Sequence, residues 1–389
     1  MKIIIIPSWY PTQLHPESGS FFRDRAQILT KSGMDIIVAA PVIHSLKDIS
    51  GYLNTKSNGY FWDGDIPIYK FEFFNIFPKL EKRQYYRYKK NTVALFNRVI
   101  KDRGMPDVVF VHSTIWAGAA LTDVCRQYKI PIVISEHLKE FLYPGLFSQF
   151  QQTLIETTYQ SCSSIISTST ALRNSIVRSF PQAESKISII PNPVDEDIFV
   201  LKPSPRETEN TSILCISLFR SEKRIDLVIQ SFYELLQSGE KATLTIVGDG
   251  PLKSKLTNQI QELDISSSVK LKGYLSQKYI IQELHNNDFL VLASDMETFG
   301  VVLIEAQACG LPVVATDCGG PSDIVSSDTG ILVKPGSSQE LTKGLIKMMN
   351  SINSYKSDII RNKTIDQFGK YAYIDAIEGL VNKIISHSS

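Results

Sequence analysis

Residues 288–324 read DFLVLASDMETFGVVLIEAQACGLPVVATDCGGPSDI and contain two short apolar runs, DFLVLA and PVVAT. Runs of this length that are rich in valine and leucine are typical of strands buried on both faces of a parallel sheet. Between them, the residues from Val301 to Cys309 favour a helix, which Gly310 and Pro312 are expected to end. The stretch therefore predicts a strand, a helix and a second strand, with Phe299 and Gly300 at the first turn.

The turn between the first strand and the helix is a candidate ligand site. A helix start presents unpaired backbone N–H groups and a positive dipole end to an anion. Glu297 precedes this turn and Glu305 lies about one helical turn after it, in an E-x7-E pattern. Because a carboxylate repels phosphate, the useful role of each glutamate is to accept hydrogen bonds from hydroxyls of a sugar or a ribose. The alternative is that Glu305 is a solvated helix residue and Glu297 a turn acid.

Composition limits the function classes. A chain of 389 residues with 43% hydrophobic and 21% charged residues is typical of a globular protein of two or three domains. Its net charge of +1 gives no global indication of nucleic-acid binding. The five cysteines are odd in number and form no C-x-x-C, which favours buried, reduced thiols. The N-terminal isoleucine run is too short for a signal peptide and no apolar run approaches ~18 residues. We expect a cytoplasmic chain without a transmembrane helix.

The first half alternates apolar runs with amphipathic segments. Strands are predicted at 2–6, 35–40, 66–73, 107–112, 131–135, 164–168 and 186–190. This alternation predicts right-handed βαβ units and a doubly wound sheet. Ligands of such sheets bind beyond the carboxyl ends of the strands.

Three loops of this half carry polar candidates. A long loop after the first strand ends at Gly19 and Ser20, where Ser18 or Ser20 can cap a helix and glycine permits close approach to a ligand. A plain capped helix is the alternative. His112 follows a later strand, and a lone histidine of this kind is usually structural. His137 directly follows a buried-type strand and an acid, which favours a functional role more strongly.

Residues 71–103 differ in composition from the rest of the first half. Four phenylalanines are followed by a segment that contains nine Lys or Arg, two acids and interleaved tyrosines. One interpretation is a solvated helix whose apolar side packs on the sheet. The other is an interfacial surface that contacts anionic lipid headgroups or an acidic acceptor.

A domain boundary is predicted where IPNPVDEDIF (190–199) leads into the Pro- and Ser-rich residues 201–212. Two D-x-D patterns, at Asp63 with Asp65 and at Asp195 with Asp197, are weak candidates for a metal pair. Neither has further ligands nearby in sequence, so we predict no metal site.

The second half repeats the alternation, with strands predicted at 211–217, 242–248, 268–273 and 330–333 around the opening stretch. Gly248 begins a G-D-G turn that resembles a dinucleotide fingerprint, but the third glycine of that pattern is replaced by Lys253. The loop after 211–217 contains Arg220 and Lys223, which can neutralise a diphosphate or be simply solvated.

Taken together, these motifs resemble those of the GT-B glycosyltransferases, specifically the retaining enzymes of glycosyltransferase family 4. The resemblance rests on PSWYP with GSFFRDRAQILTKSG, IPNPVD, EKRIDLVIQSF, TIVGDGP and SDMETFGVVLIEAQACGLPVVATDCGGPSDIV, in the family's order along nearly the whole chain. It implies an α/β fold of two doubly wound Rossmann-like domains facing each other across a cleft. The acceptor domain would be 1–195, with a helix at 370–389 crossing back, and the nucleotide-sugar domain 196–369.

The resemblance also implies residue roles. Glu305 would hold the ribose hydroxyls and Glu297 the hydroxyls of the donor sugar. Phe299, Gly300 and Val301 would offer backbone N–H groups to the diphosphate, and Lys223 would bind phosphate. Gly19 and Ser20 match the family's N-domain glycine loop, which often has two glycines, and His137 matches the histidine near the reacting sugar carbon. The family commonly has an arginine where this chain has Leu218, so we expect Arg220 to substitute for it.

The expected reaction transfers a sugar from a nucleoside diphosphate sugar, of UDP or GDP type, to a saccharide or lipid-linked acceptor, with retention of configuration and without a metal or other cofactor. Cations and backbone dipoles at the departing diphosphate suit this chemistry, and domain closure about 196–210 would exclude water. We expect a role in bacterial surface polysaccharide or glycolipid synthesis at the cytoplasmic face of the membrane.

Other functions remain compatible with the residues. Glu297 and Glu305 are alternatively the acid and nucleophile of a glycosidase, which needs two carboxyls roughly 5 to 9.5 Å apart. A non-catalytic nucleotide-sugar-binding subunit or an epimerase can share the same fold. Dependence on a sugar nucleotide, and turnover of it, separate these possibilities.

Overall fold

The computed structural model describes residues 1–15, 18–53, 58–143, 145–201 and 210–388. They divide into two compact units. Unit 1 comprises Met1–Thr168, Leu172–Ile190 and Ile374–Ser389, and unit 2 comprises Ser169–Ala171 and Pro191–Tyr373. Most of the predicted boundary segment at 201–212 lies outside the described residues.

Unit 1 is built on an eight-stranded sheet. Its strands are β1 Lys2–Pro7, β2 Asp35–His44, β3 Gly59–Asp63, β4 Ile66–Phe74, β5 Val108–His112, β6 Ile132–Glu136, β7 Ser164–Ser167 and β8 Ile187–Ile189. They lie in the order β3-β4-β2-β1-β5-β6-β7-β8. All neighbours pair in parallel except β3, which is antiparallel to β4. The connecting helices are α1 Ser20–Lys31, α2 Ile49–Leu53, α3 Glu81–Arg103, α4 Ala119–Tyr128, α5 Gln149–Ser161 and α6 Thr170–Ser179.

Unit 2 is built on a six-stranded sheet in which every pairing is parallel. Its strands are β9 Thr211–Ile216, β10 Ala242–Val247, β11 Val269–Leu271, β12 Phe289–Leu292, β13 Val313–Thr316 and β14 Gly330–Val333, in the order β11-β10-β9-β12-β13-β14. The helices are α7 Ile225–Gln237, α8 Lys253–Glu262, α9 Gln277–Asn286, α10 Val301–Ala308, α11 Pro321–Ile324, α12 Ser338–Ser351, α13 Ser357–Phe368 and α14 Lys370–Ser388. The residues of α14 from Ile374 onward are grouped with unit 1.

Continuous apolar runs form the central strands because helices cover both faces of each sheet. The isoleucines at 3–6 in β1 are at most 2% exposed, and all four residues of β12 are buried. The predicted α/β class with two Rossmann-like parallel sheets is confirmed.

The strand β3 was not predicted, and it contains the first aspartate of the D-x-D pattern at Asp63. Asp63 is the last residue of this edge strand, and Gly64 and Asp65 form the two-residue turn into β4. Gly64 has φ +61, as such turns require. Most side chains of β3 are exposed, so it lacks the apolar alternation that indicates a strand. The Asp63 carboxylate binds the Arg23 guanidinium, with Nε at 2.5 Å.

The second D-x-D segment, Asp195 to Asp197, also binds a basic side chain. Lys370 Nζ contacts the carboxylates of Asp195, at 3.4 Å, and Asp197. The Lys370 amide donates to the Glu196 carboxylate at 3.0 Å, which caps the start of α14. These acids therefore fix the beginning of the last helix.

None of the helices in the described residues is long and apolar enough to cross a membrane. Four cysteines are buried free thiols, as predicted, and Cys318 is partly exposed.

Candidate active site

The strand order of unit 2 reverses between β9 and β12. β10 and β11 lie beside β9, whereas β13 and β14 lie beside β12. The loops that leave the carboxyl ends of β9 and β12 therefore diverge and leave a crevice, which is where ligands bind in sheets of this type. These two loops carry Arg220, Lys223 and Glu297.

Lys223 and Glu297 form an ion pair in this crevice. The Lys223 Nζ lies 2.5 Å from Glu297 Oε2, and the two side chains are 22% and 15% exposed. The Ser294 hydroxyl donates to the same carboxylate oxygen at 3.4 Å. Two predicted site residues that are 74 positions apart in sequence are thus brought into direct contact.

Arg220 and Arg224 differ in whether the guanidinium is paired with a carboxylate. Arg224 binds Asp295 at 2.9 Å and Asp226 at 3.1 Å, so its charge is neutralised within the protein. Arg220 is exposed, has extended backbone (φ −120°, ψ 154°), and its side chain contacts no acid among the described residues. Arg220, unlike Arg224, is therefore available to an anionic ligand.

At the turn before α10, the groups available to a ligand are backbone N–H groups rather than side chains. Gly300 precedes α10 with φ +101°, and no side chain caps the helix. The Phe299 side chain is buried and packs edge-on against Phe368 at a centroid distance of 5.7 Å. The backbone N–H groups of Phe299, Gly300 and Val301 therefore lie at a helix start that no side chain caps. Glu305 is half-buried in the second turn of α10.

Gly319 and Gly320 pack against this turn and hold it in place. Their role was not predicted from the sequence. The Gly320 amide donates to the Glu297 carbonyl at 2.8 Å. A Cβ at Gly320 would lie 2.3 Å from the Phe299 Cα, and one at Gly319 would lie 2.8 Å from the Glu297 carbonyl oxygen. The pattern Cys-Gly-Gly, which begins two residues after the end of the buried strand β13, was the available indication.

Gly248 lies in a turn packed backbone-to-backbone against the loop after β9. Its φ is +144°, and a Cβ there would lie 1.9 Å from the Ser217 carbonyl oxygen. Its amide donates to the Gly273 carbonyl at 2.9 Å. Gly248 thus supports the loop that carries Lys223 through close backbone packing. Its N–H group already donates to the Gly273 carbonyl.

In unit 1, Gly19 occupies the position before α1 with φ +75°. A Cβ there would lie 2.8 Å from the Trp9 carbonyl oxygen, so only glycine fits this contact between loop and helix. Ser20 is the first residue of α1. The expectation that Ser18 or Ser20 caps the helix was wrong, since Gly19 is the capping residue and no side chain accepts there.

His137 follows β6 and is surrounded by polar groups at one ring nitrogen. Its Nε2 lies 2.9 Å from Ser135 Oγ, 3.2 Å from Arg25 Nη1 and 3.3 Å from His112 Nδ1. Burial, Arg25 and His112 lower the pKa of His137 well below the usual histidine value. Burial and then Arg25 lower the pKa of His112 in the same way. Both imidazoles are therefore neutral at pH 7.

Glu136 is buried on the other side of β6. Its Oε1 accepts from the Thr114 amide at 3.1 Å, the Thr114 hydroxyl and the Tyr159 hydroxyl at 2.9 Å. Burial outweighs these bonds and raises the pKa of Glu136. This glutamate holds the loop after β5 in place, a role that its sequence position did not indicate.

Comparisons with known proteins identify the family. The model for glycosyl transferases group 1 matches residues 198–366, and the model for glycosyltransferase family 4 matches residues 59–198. The chain is 26% identical over 370 residues to TuaC of Bacillus subtilis, provisionally assigned as a teichuronic acid biosynthesis glycosyltransferase, with 89% of each chain covered. It is 26% identical over 295 residues to an uncharacterized glycosyltransferase of Methanocaldococcus jannaschii, with 71% of this chain and 74% of the relative covered.

Solved structures show the same fold. The Anabaena protein HepE in complex with UDP superposes with a TM-score of 0.75 at 20% identity, covering 98% of this chain and 100% of HepE. Together, the matched models and the two parallel-sheet units show that the chain belongs to family 4 of the glycosyltransferases and has the GT-B fold.

Proposed function

We propose that this protein is a retaining, metal-independent glycosyltransferase. It moves a hexose from a nucleoside diphosphate sugar, of UDP or GDP type, to a saccharide or lipid-linked saccharide acceptor. The observation that carries this proposal is the pairing of Lys223 with Glu297 beside the uncapped start of α10. A cation, a hydroxyl-binding carboxylate and unpaired N–H groups are the three components that a sugar diphosphate requires.

The departing nucleoside diphosphate gains negative charge as its bond to the sugar breaks. Lys223 and Arg220 supply positive charge to it, and the N–H groups from Phe299 to Val301 bind its oxygens. Glu305 accepts hydrogen bonds from the ribose and Glu297 from the donor sugar. The binding of UDP by HepE supports a UDP donor, since HepE has the same fold.

Retention follows from a displacement on one face of the sugar. The acceptor oxygen bonds to the anomeric carbon on the face from which the phosphate oxygen departs, and the acceptor proton passes to that phosphate. His137 is a neutral imidazole in this scheme and contacts the sugar near the reacting carbon.

The acceptor chemistry is suggested by relatives and by one surface of unit 1. The likeness to TuaC, which is named for teichuronic acid biosynthesis, supports a role in bacterial surface polysaccharide synthesis. We propose that this synthesis takes place at the cytoplasmic face of the membrane. The surface of interest, here called the basic tip, follows the carboxyl end of β4 and includes the start of α3. Its exposed apolar side chains include Ile76 (46%), Leu80 (49%) and Tyr86 (60%).

The basic tip carries exposed cations at Lys79, Lys82, Arg83 and Lys90. Arg83 lies over the Phe77 ring at 5.8 Å, and Lys82 lies over the Phe150 ring at 5.7 Å, which places charge and apolar groups side by side. This combination suits the headgroup region of an anionic bilayer. We propose that the basic tip holds the protein at the membrane that carries a lipid-linked acceptor.

Product stereochemistry tests the proposed reaction. The full chain is incubated in a chelator with UDP- and GDP-sugars and oligosaccharide or lipid-linked acceptors, and the anomeric coupling of the product is measured by NMR. We expect a glycoside with the configuration of the donor. An inverted product or a strict metal requirement would contradict the mechanism. Nucleotide binding without turnover would favour a binding subunit, and cleavage of free glycosides without nucleotide would favour a hydrolase.

A further inference from the structure

Three polar groups converge on a single nitrogen of His137. Arg25 approaches Nε2 from α1, His112 from the end of β5, and Ser135 from β6. Arg25 is only 3% exposed, and its guanidinium lies 5.2 Å from the centroid of the Phe21 ring and 5.9 Å from that of Phe22. This arginine is therefore fixed by packing and points at the imidazole.

The tautomer of His137 follows from which group donates the hydrogen bond to its Nε2. A guanidinium can only donate hydrogen bonds, and a neutral imidazole has one donor nitrogen and one acceptor nitrogen. Because Arg25 Nη1 donates to Nε2, this nitrogen must be the acceptor. The single ring proton of His137 then resides on Nδ1, and the occupied Nε2 cannot take up another proton without losing the Arg25 bond.

The charges around the ring favour the same state. Among the residues that the structure describes, the titratable groups that face His137 are Arg25 on α1 and His112 on β5, while Ser135, Phe21 and Phe22 are uncharged. His112 is neutral and stacks on Phe22 at 4.3 Å. A permanent cation 3.2 Å from Nε2 opposes formation of an imidazolium.

We propose that Arg25 is a positioning residue that holds His137 as a neutral imidazole with its proton on Nδ1. The sugar then meets an uncharged N–H donor rather than an imidazolium, which would repel the positive charge that develops at the reacting carbon. The tautomer assignment stands on the geometry of unit 1 alone. Only its effect on turnover rests on the proposed function.

Nitrogen NMR of the full chain tests the assignment directly. Histidines are labelled with ¹⁵N, the signals of His137 are assigned with His137→Asn, and long-range ¹H–¹⁵N correlations are recorded from pH 5.5 to 8. We expect a neutral ring protonated on Nδ1 throughout this range. A ring protonated on Nε2, or an imidazolium at pH 7, would overturn the proposal whatever the activity.

Three variants test whether the charge of Arg25, rather than its packing, keeps His137 neutral. Arg25→Gln can still donate to Nε2 but lacks the charge, so we expect His137 to begin to protonate at a higher pH than in the wild type. Arg25→Lys retains the charge and should keep His137 neutral. Ser135→Ala removes an uncharged contact from the same nitrogen and should leave the tautomer unchanged. An identical titration of His137 in Arg25→Gln and the wild type would contradict a role for the Arg25 charge.

Turnover supplies the second readout. In Arg25→Gln, kcat should fall about tenfold per pH unit below the new midpoint of His137, and the NMR midpoint and the kinetic midpoint should coincide. A loss of kcat that is equal at every pH would indicate a merely structural role for Arg25. If no donor is turned over by the wild type, the proposed function fails while the NMR result still decides the tautomer.

Discussion

The Lys223 ammonium lies 2.5 Å from the Glu297 carboxylate, so two side chains assigned to different parts of a donor bind each other. In the proposed reaction, a diphosphate that binds Lys223 competes with this carboxylate for the same cation. We propose that Glu297 then becomes available to the sugar, so that the ion pair would couple phosphate binding to sugar binding.

Glu297→Gln should separate nucleotide affinity from turnover. The variant retains the shape of the side chain but removes its charge, so Lys223 is no longer neutralised. We expect the free nucleoside diphosphate to bind roughly 3- to 10-fold more tightly, in keeping with a partly exposed ion pair, while kcat with the nucleotide sugar falls. Titration calorimetry and steady-state kinetics check the two parts.

Ser294→Ala is the matched control, because Ser294 contacts the same carboxylate without carrying charge. It should change nucleotide affinity by less than Glu297→Gln does. Unchanged or weaker nucleotide binding in Glu297→Gln would contradict the competition between phosphate and Glu297.

Gly248→Ala should destabilise the protein through a backbone clash. The new Cβ would lie 1.9 Å from the Ser217 carbonyl oxygen, in addition to the strain of φ +144°. We expect the free energy of unfolding to fall by about 2 to 4 kcal/mol. Gly239→Ala is the control, since its φ is +93° and nothing lies within 4 Å of the added atom. Its loss should be about 1 kcal/mol, and equal losses in both variants would contradict the packing argument.

His112 should make stability depend on pH. Its pKa is lowered in the folded protein, so below about pH 6.5 the unfolded chain binds a proton that the folded chain does not. The contribution of His112 to stability should therefore fall as the pH decreases from about 6.5 to 5, by at most about 1.4 kcal/mol per pH unit. His137, whose pKa is also lowered, adds to the total slope. His112→Phe retains the stack on Phe22 and removes the titration. Denaturant unfolding of both proteins should show a shallower pH slope in the variant, and identical slopes would contradict the burial of a neutral His112.

The basic tip should bind anionic vesicles. Flotation with phosphatidylglycerol vesicles should recover the wild type at low salt, and recovery should fall several-fold in Lys82→Glu/Arg83→Glu and at 0.5 M salt. Lys101→Glu changes another exposed lysine, near the other end of α3, and should float like the wild type. Equal recovery of the two charge-reversed proteins, or no wild-type binding, would rule out the basic tip as a membrane contact.

Apolar periodicity was sufficient to predict the sheets because both are buried on their two faces. Strands such as β1 and β12 differ from their predicted limits by about one residue. The edge strand β3 escaped prediction because its exposed side chains show no such pattern.

Side-chain contacts were predictable only in part. The family resemblance assigned Lys223 and Glu297 to the same donor, but it did not indicate that the two side chains bind each other. The contact of Arg25 with His137 joins residues 112 positions apart, and no local pattern encodes it. The same holds for Gly320 beneath Phe299, whose importance follows from a distance rather than a motif.

Nucleotide binding in the absence of metal tests the central claim most directly. Thermal unfolding of the full chain is followed in a chelator with UDP, GDP, ADP and their sugars, beside Glu305→Gln. We predict that one nucleotide family raises the Tm of the wild type and that Glu305→Gln weakens this effect through loss of a ribose contact. If none of these nucleotides stabilises the folded wild-type protein, it is not a nucleotide-sugar-dependent transferase of the kind proposed.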